Sequence, residues 1–360
     1  MDFAENTWRQ HGRHYDGFRF LRGPDQMEFH FLIASERSGS NLITKMMDAH
    51  PDVCGPSPLH ILRVMGTAYY RYGDLSNSNN WHALLDDVYL MLKSNFAQWR
   101  IIVGRKGLER MAKPGDLPTL LREIFKAEAT VHNKKAIFIK ELWAYQYSAF
   151  LEWCFPDAKY VYLVRDPRDV ALSWRKNPIH SGGIVAASRQ WQIDQHASLL
   201  LFKPLEDQGR ATLVRYEDLI SDSERALTKI CKFLGIEYSP KMLEFHENRL
   251  TKKNAESNQL WGNLAKEVIS DNFNKFKNEL GPFEIAVCEK FCQSAMEYFG
   301  YKLETDLETL ERVTGAHIAR LKAEEGSHKI KTKDAPVHDI IQLRLLRSHQ
   351  VHQDCTAGSD

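Results

Sequence analysis

Short apolar runs recur along the chain, and each is followed by a segment whose apolar residues have helical spacing. The β-branched and aromatic run Lys159–Val164 is the clearest strand. Similar runs predict strands at Phe29–Ala34, Ala136–Ile139 and Ala211–Arg215. Strands that alternate with helices are typical of βαβ units. We therefore predict an α/β fold of three layers, with a mostly parallel central sheet flanked by helices.

The helices predicted between these strands follow the apolar spacing and the positions of proline and glycine. His50-Pro51 ends the helix that begins at Leu42, because proline cannot continue the hydrogen-bond ladder. Gly235 ends the helix predicted over Ser221–Leu234. The other predicted helices cover Leu59–Met65, Trp81–Trp99, Leu117–Ala129, Trp143–Cys154, Arg168–Arg175 and a long stretch that ends near Phe202.

The chain divides into three parts of different character. Residues 1–26 are aromatic and basic without a clean period, and we expect them to form an N-terminal arm. Residues 27–304 contain the alternating strands and helices. Residues 305–360 form a charged helical and flexible extension, which a charged amphipathic helix over Leu303–Glu325 introduces. The segments expected to be flexible are 329–333 and 348–360.

The composition argues against several classes of protein. Lys and Arg total 48 against 47 for Asp and Glu in 360 residues, a net charge of +1, so we expect no nucleic-acid partner. No apolar run is long enough to span a bilayer, and the first residues lack the layout of a secretory signal. The six cysteines form no CxxC pair. We therefore expect no metal site and a cytoplasmic location.

The stretch Ser35–Leu42 joins the first predicted strand to a helix through a small polar loop. Backbone N–H groups and the dipole at a helix N-terminus attract an anion, and Arg37 adds a planar cation. The loop lacks the terminal Lys-Ser/Thr and the spacing of the nucleotide triphosphatase loop. On these residues alone, a phosphate cradle and an ordinary helix start are equally open.

A second anion-binding segment is predicted where the strand Lys159–Val164 ends at Arg165. Ser173 lies two turns further on, so a guanidinium and a hydroxyl can hold one phosphate from two sides. The alternative is that Arg165 pairs with Asp166 or Asp169. Residues that follow predicted strand ends, and so converge on one crevice, are Arg37, Lys140, Arg165 and Tyr216.

Together, the loop Arg37–Leu42 and the segment Arg165–Ser173 resemble, in the right order, two signatures of the sulfotransferases that use 3′-phosphoadenosine 5′-phosphosulfate (PAPS). The resemblance covers residues 27–301 and is closest to the bacterial and tyrosylprotein-like branch. It implies a fold like that of the P-loop-containing nucleotide hydrolases. It also implies in-line transfer of a sulfuryl group from PAPS to a hydroxyl or amine, without a metal. Further similar segments are Asp48–Val53, Val214–Leu219 and Asp271–Phe276.

The resemblance implies roles for individual residues. The first loop would hold the 5′-phosphosulfate, and Arg165 with Ser173 would hold the 3′-phosphate. Tyr216 would pack near the adenine, and Lys275 would reach the cofactor from a late loop. Lys140 would help to stabilise the charge that develops on the leaving group. The residues implied in the first loop are Arg37, Ser38, Gly39, Ser40, Asn41 and Leu42.

The general base is not fixed by the resemblance. The tyrosylprotein branch carries a Glu shortly after the Cys-Gly that follows its first helix, and no such Glu follows Cys54-Gly55 here. His60 is the nearest replacement, because its ordinary pKa suits proton transfer near neutrality. Glu141 is the alternative. For each residue, a role outside catalysis is also open.

Two other functions remain open from the sequence. A P-loop kinase predicts a Gly-Lys-Ser/Thr loop and a metal-holding Asp, which we do not find. A non-catalytic nucleotide-binding module would have neither candidate base facing the crevice. The acceptor is left open between a saccharide, a phenol and a peptide, with Ile61–Leu121 and Asn177–Gly183 expected as its walls. A homodimer is also left open.

Overall fold

A computed structural model describes residues 27–94, 99–101, 103–177, 180–248, 251–252, 264–325 and 336–347. In this part of the chain five strands form one sheet in the order β2-β3-β1-β4-β5, and all neighbours are parallel. The predicted parallel α/β architecture is therefore confirmed. The two-residue strand β2 was not predicted. The strands are β1 (Glu28–Ala34), β2 (Val53–Cys54), β3 (Ala136–Lys140), β4 (Lys159–Val164) and β5 (Ala211–Arg215).

Helices cover both faces of the sheet and extend over its carboxyl edge. The helices whose full range lies in the described residues are numbered α1 to α15 in chain order, and 3₁₀ segments lie between them at Tyr69–Tyr72, Ala144–Tyr147 and Pro240–Glu247. The helices are α1 (Ser40–Ala49), α2 (Ile61–Ala68), α3 (Ser78–Lys93), α4 (Arg105–Met111), α5 (Leu117–Val131), α6 (Ser148–Cys154), α7 (Pro167–Arg175), α8 (Gly183–Asp207), α9 (Tyr216–Ser221), α10 (Ser223–Leu234), α11 (Phe276–Glu279), α12 (Pro282–Tyr298), α13 (Leu307–Arg312), α14 (Gly315–Glu325) and α15 (Val337–Arg347).

The sheet separates two hydrophobic cores. Successive side chains of a strand point to opposite faces, so Phe31 and Ile33 pack in one core while Leu32 packs in the other. Tyr160 and Val161 divide in the same way. Burial on both faces explains why the strands are continuous apolar runs rather than alternating ones.

Several helix boundaries differ from the prediction, and two of the differences have a polar cap as their cause. The helix expected over Trp81–Trp99 begins at Ser78, where the Asn77 side chain accepts the N–H groups of the first turn, and ends at Lys93. The single helix expected over Leu303–Glu325 is two helices, α13 and α14. Asp306 caps the first of them, and the break falls between Arg312 and Gly315. Polar caps therefore set boundaries that apolar spacing alone does not.

The strand order creates the crevice that holds the site. From β1 the chain moves through β2 and β3 on one side, and β4 then lies on the other side of β1. Loops after β1 and β4 therefore leave in opposite directions, and ligands bind at such a switch point. The predicted arm 1–26 and the segments 329–333 and 348–360 lie outside the described residues.

Candidate active site

The loop after β1 is held in a conformation that a nonglycine residue rarely adopts. Arg37 and Gly39 have φ values of 65° and 86°. A Cβ on Gly39 would lie 2.4 Å from the ring of Tyr216, so glycine is required both by the backbone and by the space. The Ser38 hydroxyl is buried without a hydrogen-bond partner in the described structure. Because a buried polar group normally has a partner, this hydroxyl marks a place for a ligand.

Arg37 and Arg165 bring the two predicted anion-binding segments into one site. The Nε of Arg37 donates to the Oγ of Ser173 at 3.1 Å, and Nη1 of Arg165 donates to the carbonyl of Arg37 at 3.1 Å. The segments are more than a hundred residues apart in sequence, since 128 positions separate the two arginines. The contacts follow from the switch point between β1 and β4.

Arg165 does not form the alternative pair with a neighbouring aspartate. Asp166 instead caps α7 and holds Arg168, and Asp169 accepts the N–H groups of Asn274 and Phe276. The second amino group of Arg165 donates to the carbonyl of Asn272 at 3.0 Å. The two aspartates thus brace the protein around Arg165 without forming an ion pair with it in the described residues.

Tyr216 lies under this arginine, at the start of α9. Its ring centroid is 4.3 Å from Cζ of Arg165, and its hydroxyl accepts from Nδ2 of Asn272 at 2.8 Å. Lys275, predicted to reach the same ligand, is exposed at the start of α11, and no contact joins it to these residues. The structure therefore brings together Arg37, Arg165, Ser173 and Tyr216, and leaves Lys275 apart.

Lys140 ends β3 beside the first loop. Its Nζ donates to Oδ1 of Asn41 at 2.5 Å. Burial lowers the pKa of Lys140 to about 8, and burial also lowers the pKa of Arg37. Both cations are therefore held in a place where their charge is poorly solvated. An anion that enters between them would offset that cost.

Glu36 and His180 lie beside these cations, and the sequence analysis singled out neither. His180 and Glu36 interact at 3.0 Å between Nε2 and Oε2. Burial acts to raise the pKa of Glu36, but the His180 hydrogen bond and the charges of Lys140 and Arg37 outweigh it and lower the pKa. The loop therefore carries an ionised carboxylate that partly balances its two cations.

The two candidate bases lie next to each other. His60, between β2 and α2, has a left-handed φ of 58°, and its Nδ1 is 3.4 Å from Oε2 of Glu141. Burial raises the pKa of Glu141 to about 8. Burial, with the cations Arg63 and Lys140, holds the pKa of His60 well below its ordinary value. The pKa shifts of both groups therefore favour their uncharged forms.

Several residues of the site come from parts of the chain that no motif marks. Arg63 lies near Glu141, and His338 packs against His60. Asn272, which bonds both Arg165 and Tyr216, differs from them because it lies in the similar segment Asp271–Phe276. A pattern of local spacing gives no signal for Arg63 and His338, because their contacts span large separations in sequence. Arg63 and its partner Asp339, for example, are 276 residues apart.

The described ranges contain neither a metal-binding cluster nor a membrane-spanning helix. No group of three His, Cys, Asp or Glu side chains there is arranged to hold a metal ion. None of the described helices combines the length and the apolarity needed to cross a membrane.

Comparison with known proteins identifies relatives of this chain. The model of the sulfotransferase family matches residues 30–240. A protein-tyrosine sulfotransferase of Drosophila melanogaster is 26% identical over 64% of this chain and 42% of its own length. Carbohydrate sulfotransferase 3 of Tetronarce californica is 30% identical over 42% of this chain and 38% of its own length. The chain thus spans less than half of either curated relative.

A solved structure supports the fold. The sulfotransferase domain from the Synechococcus PCC 7002 olefin synthase superposes with a TM-score of 0.54 at 22% identity. The alignment covers 78% of this chain and 98% of that domain. At this identity the likeness concerns the fold, and it agrees with the parallel sheet described above.

Proposed function

The chain belongs to the sulfotransferase family, and we propose that it transfers a sulfuryl group from PAPS to a hydroxyl or amine of an acceptor. The observation that carries the proposal is the contact between the two anion-binding segments, through Arg37, Ser173 and Arg165. A ligand with phosphate groups at two ends needs two such segments in one crevice. A cradle for a single phosphate does not explain the second one.

The first loop has the properties that a phosphosulfate group requires. Ser38 offers an unpartnered hydroxyl, and the first N–H groups of a helix such as α1 point toward a bound anion. Gly39 allows the backbone to approach closely, since no Cβ fits there. Residues Arg37 to Leu42 would hold the 5′ end of the donor, and Arg165 with Ser173 would hold its 3′-phosphate.

The adenine would lie near the ring of Tyr216. That ring is fixed by Arg165 on its face and by Asn272 at its hydroxyl. Because this buried ring is already fixed, it needs no reordering when the adenine binds beside it, which lowers the entropic cost of binding. The reach of Lys275 to the donor stays a prediction, because its side chain is exposed.

The reaction is a displacement at sulfur. The acceptor oxygen or nitrogen forms a bond to sulfur, the bond from sulfur to the bridging oxygen of the donor breaks, and the acceptor proton passes to a base. Negative charge develops on the departing bridging oxygen. Arg37 is a partly buried cation and Lys140 a buried one beside the loop, and preorganised charge of this kind lowers the barrier where charge develops.

His60 is favoured over Glu141 as the base. A base must be unprotonated when the reaction begins, and the lowered pKa of His60 keeps its ring neutral at pH 7. The pKa of Glu141 is raised to about 8, so its carboxyl already carries a proton. Glu141 would instead hold the Nδ1 side of the His60 ring, which it faces at 3.4 Å.

The names of the relatives support the proposed acceptor classes, and burial limits which aromatic side chains could contact the acceptor. The two curated relatives are named for protein tyrosine and for carbohydrate, which supports a peptide or a saccharide as the acceptor. A phenol also remains a candidate acceptor. Tyr72 and Trp81 belong to the buried core, so neither offers a stacking surface to a sugar. Tyr70 is exposed and remains available for one.

Binding of adenosine 3′,5′-bisphosphate tests the donor site. A ligand that binds only the folded protein stabilises it by about 2.7 kcal/mol at about a hundred times its Kd. We expect a rise in melting temperature with this ligand and a smaller rise for Arg165→Ala. ATP with magnesium serves as the control for the phosphotransferase alternative. The absence of any rise with the bisphosphate would refute the proposed function.

Transfer itself is tested with radiolabelled PAPS against saccharide, phenolic and peptide acceptors. A product in one class identifies the acceptor, and binding of the bisphosphate without any product favours the non-catalytic alternative. Cytoplasmic location is proposed from the scattered cysteines, and cell fractionation tests it. A homodimer is tested by light scattering of the purified chain.

A further inference from the structure

Helix α15 lies over the acceptor side of the site, although it is outside the range 30–240 that matches the family. Its buried face packs against α2, the helix that His60 begins. Ile341 and Leu345 are buried in the main core, and His338 is only 4% exposed. The helix therefore docks as a packed element and contributes apolar and polar side chains together.

Polar contacts fix where the helix sits along α2. Nη2 of Arg63 donates to Oδ1 of Asp339 at 2.5 Å, and Nε2 of Gln342 donates to Oγ1 of Thr67 at 2.8 Å. Arg344 pairs with the buried carboxylate of Asp87. Charge-assisted and directional bonds at three points give the helix one register.

This register puts the ring of His338 against the ring of His60. Their centroids are 4.5 Å apart and the planes are tilted by 53°. On its other side, Nδ1 of His60 faces Glu141 at 3.4 Å. His60 is thus held between a residue at the end of β3 and a residue of the C-terminal helix, while its own backbone has the left-handed φ of 58°.

We propose that α15 completes the acceptor side of the site, with His338 as a positioning residue that holds the His60 ring and Asp339 as the residue that holds Arg63. This inference rests on the proposed function, because it assigns a role to the base of that reaction. A catalytic base loses rate steeply when it moves by about 1 Å. A neighbour that fixes its ring therefore affects turnover without touching the donor.

The titration of His60 reports on this contact without an acceptor. Removing the His338 ring admits water, which favours the charged imidazolium. The other ionisable groups that act on His60 remain in the chain and act in both directions, and one of them, Asp339, also lies 3.4 Å from Nε2 of His338. These groups are Glu141 and Lys140 at the end of β3, Arg63 on α2, Asp339 on α15 and Glu36 in the first loop. His338→Phe removes this Asp339 contact as His338→Ala does but keeps a ring, so the comparison of the two variants isolates the ring contact.

The experiment follows the His60 imidazole by NMR in protein labelled at histidine, with His60→Gln used for assignment. In the unaltered chain we expect the His60 pKa well below 6.5. In His338→Ala we expect it to rise by about one pH unit or more, and in His338→Phe, which keeps a ring, to stay low. Ile340→Ala, on the exposed side of the same helix, is the matched control and should leave it unchanged.

Equal His60 titrations in the unaltered chain and in His338→Ala would overturn the proposal. So would a similar rise in Ile340→Ala, because the effect would then be general loosening of the helix. With an acceptor from the screen, we expect His338→Ala to lower kcat by about tenfold or more at an unchanged KM for PAPS. Binding of adenosine 3′,5′-bisphosphate should be unchanged in all variants. Its absence in the unaltered chain would instead refute the proposed function and leave the titration readable.

Discussion

Replacing Glu141 by Gln should raise the free energy of unfolding above that of the unaltered chain at alkaline pH. In acid the two proteins should be about equally stable. The ordinary pKa of this carboxyl is 4.5, and burial raises it to about 8. Between these values the folded state binds one proton more than the unfolded state, so stability falls by about 1.4 kcal/mol for each pH unit. From pH 5 to pH 8 the loss is at most about 4 kcal/mol.

The variant removes this loss because glutamine resembles the protonated carboxyl and still accepts the N–H groups of Leu62 and Arg63 that Glu141 accepts. Below pH 5 the two proteins should therefore differ little. As the pH rises to 8, the free energy of unfolding of the unaltered chain should fall because Glu141 is buried. Glu141→Gln should not show this fall, so it should become the more stable protein by the same amount. Subtracting the two proteins cancels the groups that titrate alike in both.

Urea unfolding at a series of pH values measures this difference. Asp52→Asn is the matched control, because a hydrogen bond from Lys135 lowers the pKa of Asp52 and this carboxylate is ionised in both the folded and the unfolded state above pH 5. The difference in free energy of unfolding between Asp52→Asn and the unaltered chain should therefore not change with pH. If the curves for Glu141→Gln and the unaltered chain run parallel from pH 5 to pH 8, the carboxyl is already ionised. His60 would then lose its advantage as the base.

The remaining predictions concern the donor site and the base. Arg37→Ala should abolish transfer from PAPS while Arg165→Ala should chiefly weaken binding of adenosine 3′,5′-bisphosphate, and equal, mild effects in transfer assays and calorimetry would contradict the separate roles. Gly39→Ala should weaken binding of the bisphosphate by about tenfold or more, because a left-handed φ costs about 1 kcal/mol or more without glycine and the new Cβ displaces Tyr216. Calorimetry that finds full affinity in this variant would be evidence against the proposed phosphate cradle. His60→Ala should lower the transfer rate by about a hundredfold or more, whereas a full rate would move the role to Glu141.

The strands could be predicted because burial on both faces leaves a continuous apolar run. Lys159–Val164 and the other predicted strands were found in this way, whereas the order of the strands in the sheet was not predicted. Residues at the ends of strands converge because the strands are parallel, which is why Arg37, Lys140 and Arg165 could be grouped in advance. Helix ends were less predictable, because caps such as Asn77 decide them.

The acceptor side could be predicted only in part. His60 and Glu141 were candidates from their residue types, but their contact depends on how β2, β3 and α2 pack. Arg63 and His338 had no motif, because their roles arise from a helix that returns across the chain to cover α2. A residue that acts through a distant neighbour leaves no periodic signal in the sequence.

The two halves of the site differ in charge, and this difference follows from what each half has to do. The proposed donor half holds the partly buried cation Arg37 and the buried cation Lys140, and burial lowers the pKa values of both. The acceptor half holds the uncharged pair His60 and Glu141. In the proposed reaction, His60 would take the acceptor proton while Arg37 and Lys140 stabilise the negative charge on the departing oxygen. Because the cations Arg63 and Lys140 also act on His60 and keep its ring neutral, the position of that ring beside them matters to the proposed reaction.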